Sequence, residues 1–264
     1  MQPGRRVLAV LVTCALLGGG CGSASPDPIR VVTLGDSVAY DADPGIRAAL
    51  ESIDTGTGVE VDTRSFGGVG LLRPGFDGYL ADALSTDPDV VTLMLGGWDF
   101  GEAMDDPDAY RERAEQVARR IVDSGAHLVW LGLPPTPPGE GIEAHRILVN
   151  DIFASVAAIL PIEVDYVDTG AELADSQGKF TRVQFGVDGT VHPIRKVRDG
   201  KDDGHLCPAG AALIGNQLVQ AIHAAGVLGV HSGGPEEGHA QGEWWTGEWT
   251  LDPRYDDPPG ACDG

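Results

Sequence analysis

Residues 89–95 read Asp-Val-Val-Thr-Leu-Met-Leu, an almost continuously apolar run. A strand with one wet face alternates apolar and polar residues. A short run apolar on both sides is the signature of a strand covered on both faces, as in the centre of a parallel sheet. The rest of the chain supplies its partners. Residues 29–34 form a β-rich run that ends at Gly35. Residues 58–64 alternate valine with charged residues, and 127–131 and 162–167 are two further short strands. Helical segments fall between them, at 44–53, 76–84, 107–124, 143–159 and 209–225. The clearest is 107–124: Asp106 can cap it, Pro107 suits its first turn and Gly125 its exit. Tyr110, Ala114, Val117 and Ile121 share one face of it. In the last helix Leu213, Ile214, Leu218 and Ile222 are the candidate buried positions. Alternating strands and helices predict an α/β fold, a three-layer α/β/α sandwich around a mainly parallel five-stranded sheet. No internal repeat or second domain is visible. Residues 180–201 lack periodicity and are expected to form loops near the strand ends.

The N-terminus reads as a targeting segment. Arg5 and Arg6 precede an apolar run at 7–17, which is too short to span a bilayer comfortably. Leu17-Gly18-Gly19-Gly20-Cys21 then resembles a bacterial lipoprotein cleavage box. This predicts a signal peptide at 1–20, lipid on the Cys21 thiol, a tether at 21–28, a folded domain at 29–228 and a tail at 229–264. The protein is expected on the outer face of the cytoplasmic membrane, held by its lipid anchor, or secreted. The alternative is a plain secretory signal with Cys21 incidental. Cys14 leaves with the signal. Cys207 and Cys262 remain, and in an oxidising compartment they can pair and fasten the tail. There is no CxxC pair and no His/Cys set at ligand spacing, so neither a metal nor a cofactor is expected. A formal net charge of −22 argues against nucleic acid as a partner, and against docking to an anionic membrane by charge. A monomer is expected. The tail carries Trp244, Trp245, Trp249 and Tyr255 without helical spacing and is expected to wrap over the domain.

Two motifs can carry chemistry. Gly35-Asp36-Ser37 lies at the carboxyl end of the first strand, where parallel α/β sheets bind ligands. A serine there can project its hydroxyl into the crevice and aim its backbone N–H at an oxyanion. Near the other end stands Asp202-Asp203-Gly204-His205. A nucleophilic serine needs a base, and a histidine base needs an acceptor on its other nitrogen. Asp202, three residues before His205 and ahead of a helix, is the expected orienter, with Asp203 as the fallback. Read blandly, Asp36 or Ser37 merely caps a helix and the acids cap the next one.

In this order, on this strand and helix pattern, the motifs resemble the SGNH, or GDSL-like, hydrolase superfamily over residues 29–226. The resemblance implies a flavodoxin-like sheet and a Ser37–His205–Asp202 triad. It also implies an oxyanion hole from the N–H groups of Ser37 and of a glycine in the loop 65–70. Gly70 is the best match, with Gly67 and Gly68 as alternatives. One block departs. Where the family has Gly-x-Asn-Asp, this chain has Gly96-Gly97-Trp98-Asp99, so Trp98 replaces the asparagine donor. Asp36, Gly97, Trp98 and Asp99 are expected to line the site, with Asp99 orienting Trp98 or the Gly70 loop. The Trp-acid pair is similar to SGNH domains that work with bacterial membrane O-acyltransferases on cell-surface glycans. This implies small acyl groups on a glycan, or another small ester, as substrate and a cell-envelope acyltransferase as partner. The rivals are an acyltransferase using the same triad and a catalytically silent glycan-binding accessory lipoprotein. A long-chain lipase ranks lower, because no strongly apolar lid is visible.

Overall fold

The five expected strands become five parallel strands: β1 (Ile29–Gly35), β2 (Val59–Thr63), β3 (Val90–Met94), β4 (His127–Leu131) and β5 (Val164–Val167). Their order in the sheet is β2-β1-β3-β4-β5. The computed structural model describes residues 27–160, 162–227 and 242–263. The expected signal at 1–20, the lipidated Cys21, the tether as far as residue 26 and the tail segment 229–241 lie outside them. Every residue of β3 is buried, as its apolar run requires. Successive side chains on a strand point to opposite faces, so Val31 joins one core while Val32 and Leu34 join the other. Helices α1 (Ser37–Glu51) and α6 (Pro208–Ala224) cover the Val31 face. Helices α2 (Phe76–Leu84), α4 (Pro107–Asp123) and α5 (Glu143–Ile159), with the short α3 (Phe100–Asp105), cover the other. The expected three-layer α/β/α sandwich with a five-stranded parallel sheet is the structure found. No helix among the described residues is long and apolar enough to cross a membrane.

Two expectations are corrected. Residues 180–201 are not simply loops. With the residues that follow they form two antiparallel hairpins, β6 (Val183–Phe185) with β7 (Val191–Pro193), and β8 (Arg195–Arg198) with β9 (Lys201–Leu206). Strands β6 and β7 are only three residues long, and β8 and β9 are rich in charge, so no apolar run marks them. The first helix also begins earlier than residue 44. It starts at Ser37, capped by the Asp36 carboxylate, which accepts the Val38 N–H at 3.0 Å. Pro44 therefore sits inside the helix rather than in its first turn.

A proline inside a helix leaves the carbonyl four residues earlier without its N–H donor. Here that carbonyl belongs to Tyr40, and the tail supplies the missing donor, the Arg254 guanidinium. The same guanidinium lies 3.9 Å from the centroid of the Tyr40 ring. Tyr255 O–H donates to the next carbonyl, Asp41, at 2.8 Å. The tail is then fastened by the Cys207–Cys262 disulfide and by Val197 N–H donating to the Ala261 carbonyl at 2.8 Å. On its other side α1 meets α6 at glycines. A Cβ added to Gly45 would lie 2.6 Å from the Ala211 backbone, and one added to Gly215 would lie 2.6 Å from the Gly45 carbonyl oxygen.

The disulfide closes a loop of 55 residues. Chain entropy assigns such a loop about 4 kcal/mol, an upper figure that measured cases often undercut. Cys262→Ser is therefore expected to lower unfolding free energy by about 2–4 kcal/mol in urea titrations. Wild-type protein in reductant should show the same loss. An unchanged midpoint would mean that the tail is not part of the cooperative unit.

Candidate active site

Helix α1 presents Ser37 at its first position, and strand β9 presents His205 near its end. Both line one cavity of about 160 Å³, together with Asp36, Gly97, Trp98, Phe100, Glu140 and residues 133–136. The wall at 133–136 follows β4 and is held from α5. Asn150 accepts the Leu133 N–H at 2.9 Å and donates to the Leu133 carbonyl at 2.9 Å. Arg146 donates to the same carbonyl at 2.8 Å. Arg195, almost fully buried, joins this wall to the histidine turn. It donates to the Pro135 carbonyl at 3.3 Å and to the Gly204 carbonyl at 2.5 Å. Glu140 accepts the Gly204 N–H at 2.7 Å, so the residue before His205 is held at both its N–H and its carbonyl. Burial lowers the Arg195 pKa to about 9.

The acid beside His205 is Asp203. Its Oδ1 lies 2.5 Å from His205 Nδ1 and also accepts the His205 N–H at 2.8 Å. Asp202, expected in that place, instead sits 3.5 Å from Arg182 and is substantially exposed. The expected spacing of three suits residues ahead of a helix. The segment is a strand, in which residues two apart share a face. Burial acts to raise the Asp203 pKa, but the bonds from His205 and Arg198 outweigh it and hold the carboxyl well below its usual range. The Asp203 hydrogen bond is the main cause of a raised His205 pKa, and burial only partly opposes it.

Gly70, expected beside the oxyanion, packs on Asp99. A Cβ there would come within 2.4 Å of Asp99 Oδ1, and Gly70 lines a separate hollow with Phe66, Arg73, Phe76 and Tyr79. Gly67 is the loop glycine next to the nucleophile: a Cβ on it would sit 3.8 Å from the Ser37 Cβ. Buried Asp43 of α1 fixes this loop, accepting the Thr33 hydroxyl at 2.7 Å and the Ser65 hydroxyl at 3.1 Å. Burial raises the Asp43 pKa to about 7.

The Gly97-Trp98-Asp99 turn divides its labour. Asp99 is fully buried and accepts the Leu71 N–H at 2.6 Å and the Tyr110 hydroxyl at 3.2 Å. It orients the Gly70 loop, one of the two roles expected for it, and burial raises its pKa. Trp98 points outward, 51% exposed, on the cavity rim. Asp36 is buried between the helix start and this turn, with the N–H groups of Val38, Ala39 and Gly97 on its carboxylate. Burial outweighs those bonds and raises its pKa to about 6. Sequence reasoning missed Arg195 and Glu140. Nothing local marks them, because their partners are backbone groups, Pro135 sixty residues from Arg195 and Gly204 sixty-four from Glu140.

A family model described as "Protein of unknown function (DUF459)" matches residues 30–221. The chain belongs to that family. No curated protein matches this DUF459 chain in sequence. Solved structures do match in shape. A catalytic mutant of Axe2, an acetylxylan esterase from Geobacillus stearothermophilus, is 14% identical with a TM-score of 0.53, over 75% of this chain and 96% of that one. A GDSL-like lipase from Bacteroides thetaiotaomicron is 15% identical with a TM-score of 0.51, over 74% and 88%. TesA is 18% identical with a TM-score of 0.51, over 74% and 99%. At such identities the likeness is one of fold, and the DUF459 chain has the fold of the GDSL-like, or SGNH, hydrolases.

The two neighbouring acids separate by mutation. Asp203→Asn should lower turnover of an aryl acetate by about 10²–10⁴-fold, the range set by loss of a histidine's orienting carboxylate. Asp202→Asn should stay within about twofold, since exposed ion pairs contribute little. Equal losses in both variants would contradict this assignment.

Proposed function

We propose that this DUF459 protein is a serine esterase that removes small acyl groups, acetyl foremost, from glycans outside the cell. The observation that carries the reading is the shared cavity: Ser37 and His205 line it together, and Asp203 sits on the imidazole nitrogen Nδ1. With Nδ1–H donated to Asp203, Nε2 is left to take a proton. Ser37 Oγ gives its proton to Nε2 and bonds to the ester carbonyl carbon. The N–H groups of Ser37 and Gly67 receive the oxyanion. The bond to the sugar oxygen breaks, and His205 returns the proton to that oxygen. Water then attacks the acyl-enzyme, His205 takes its proton, Ser37 Oγ recovers one, and the carboxylic acid leaves.

The size of the cavity supports a short acyl group. At about 160 Å³ it falls below the roughly 300–1,000 Å³ that holds drug-sized ligands. Trp98 supports a sugar on the alcohol side, because an exposed indole face at the rim can stack on a sugar ring. A sugar hydroxyl that reaches the acyl-enzyme in place of water would make the same triad a transferase. In this reading a lipid on Cys21 holds the enzyme at the membrane beside a cell-envelope acyltransferase.

Ser37→Ala is expected to abolish release of 4-nitrophenol from 4-nitrophenyl acetate. The wild type should prefer acetate to octanoate by at least about tenfold in kcat/KM, as a loss of fit of over 1.4 kcal/mol requires. An acetylated xylan or peptidoglycan should lose acetate in a Ser37-dependent way. Turnover that survives Ser37→Ala would overturn the mechanism, and glycan binding without turnover would favour the accessory role.

The reaction also has a pH sign. His205 must be neutral to accept the serine proton, and its pKa is raised. The acid limb of kcat/KM should therefore lie above the ordinary histidine value of about 6.5. A limb at or below that value would contradict the Asp203–His205 pairing.

A further inference from the structure

Asp41 lies one helical turn after Ser37 and is buried against Lys196 of β8, with Nζ to Oδ2 at 2.9 Å. Both side chains are almost fully buried, at 3% and 4% exposure. The pair joins the nucleophile helix, the histidine strand and the tail. Asp41 Oδ2 accepts the N–H of Leu206, the residue after His205, at 3.1 Å. Lys196 Nζ also donates to the Arg254 carbonyl of the tail at 2.7 Å, and the Asp41 carbonyl accepts the Tyr255 hydroxyl at 2.8 Å. Taking two charges out of water largely offsets their mutual attraction, so a buried pair of this kind is poor evidence for a stabilising role. Its placement suggests a different one.

We infer that Asp41 and Lys196 are positioning residues that dock the histidine strand on the nucleophile helix and set the charge His205 feels. Asp41 favours the imidazolium, and Lys196 opposes it. The catalytic part of this inference rests on the esterase reading, whereas the coupling to His205 does not. The charges around His205 come from several elements. Asp203 lies on its own strand, with Arg198 of β8 bonded to it at 2.9 Å. Asp36 and Asp41 come from the start of α1, Lys196 from β8, and Glu140 and Arg195 hold the preceding residue. The fields of Asp41 and Lys196 at His205 have opposite signs.

Opposite signs permit a test that a purely structural role would fail. NMR titration of the His205 imidazole, assigned with His205→Gln, is compared in wild type, Asp41→Asn and Lys196→Met. Asp41→Asn keeps an acceptor for the Leu206 N–H but removes the negative charge, so the His205 pKa should fall by about half a pH unit or more. Lys196→Met leaves Asp41 uncompensated, and the pKa should rise by a similar amount. The acid limb of kcat/KM for 4-nitrophenyl acetate should move with each. Shifts in the same direction, or none, would overturn the inference. If either single variant fails to fold, Asp41→Asn with Lys196→Met removes both charges together. The two fields oppose each other, so this double variant should shift the pKa by less than the single variant that folds. A shift as large as that single variant's would overturn the inference. The titration needs no turnover. A protein that hydrolyses no ester yet shows opposite shifts would remove the esterase reading and keep the coupling.

Discussion

Helix α1 is held by carboxylates on the side where most helices bury only carbon. Asp36 caps it, and Asp41 and Asp43 lie within its first two turns, all almost fully buried. A buried carboxylate is costly unless N–H and O–H donors surround it, and each of these three finds donors on a different part of the chain. Asp36 takes the Gly97 turn, Asp43 takes the end of β1 and the Ser65 loop, and Asp41 takes the strand that carries His205. Each pins to the nucleophile helix one loop or strand that reaches the cavity or its rim. The burial that raises the pKa values of Asp36 and Asp43 to about 6 and 7 also makes the arrangement unforgiving. If one of those segments moves away, it leaves an unpaired carboxylate behind it.

The same helix explains the tail. Pro44 leaves the Tyr40 carbonyl without its helical donor, and Arg254 answers it from more than two hundred residues away. Once Arg254 and Tyr255 are seated on α1, the disulfide at Cys207 holds the tail against the segment that follows His205. Trp244 packs on the core face of α1 and α6, and its carbonyl accepts the Trp249 indole N–H at 2.8 Å. Two of the three tail tryptophans therefore shape the tail itself.

The sheet was legible in the sequence because parallel strands carry their signal locally: Val90–Met94 is apolar on both faces, and each neighbour is a short β-rich run between helices. Helix α4 was legible for the same reason, with Asp106, Pro107 and Gly125 marking its ends. What escaped was long-range. Hairpins β6–β7 and β8–β9 owe their form to pairing and not to composition, so nothing local showed that 202–205 is a strand, in which Asp203, two residues before His205, shares its face. Gly70 outranked Gly67 because a motif gives spacing along the chain. Which glycine meets the serine depends on how Asp43 and Asp99 draw the loop in. Arg195, Lys196 and Glu140 act on partners sixty or more residues away, or on backbone groups, and a sequence carries no mark of that.

Trp98 is the point where motif and structure inform each other most. In the usual SGNH arrangement the asparagine at this position points its amide at the oxyanion. Here the turn keeps the neighbouring acid in the usual sense, with Asp99 buried on the Leu71 N–H, while the Trp98 ring faces outward. Loss of one such donor costs about 3 kcal/mol of transition-state stabilisation in a protease. The proposed reaction then rests more heavily on two backbone N–H groups and on a base whose pKa Asp203 has raised. A more basic histidine takes the serine proton more readily once neutral. It also leaves a smaller neutral fraction at a given pH. In the proposed reaction a sugar held against the indole face would supply, through binding, part of the stabilisation that the third donor gives elsewhere.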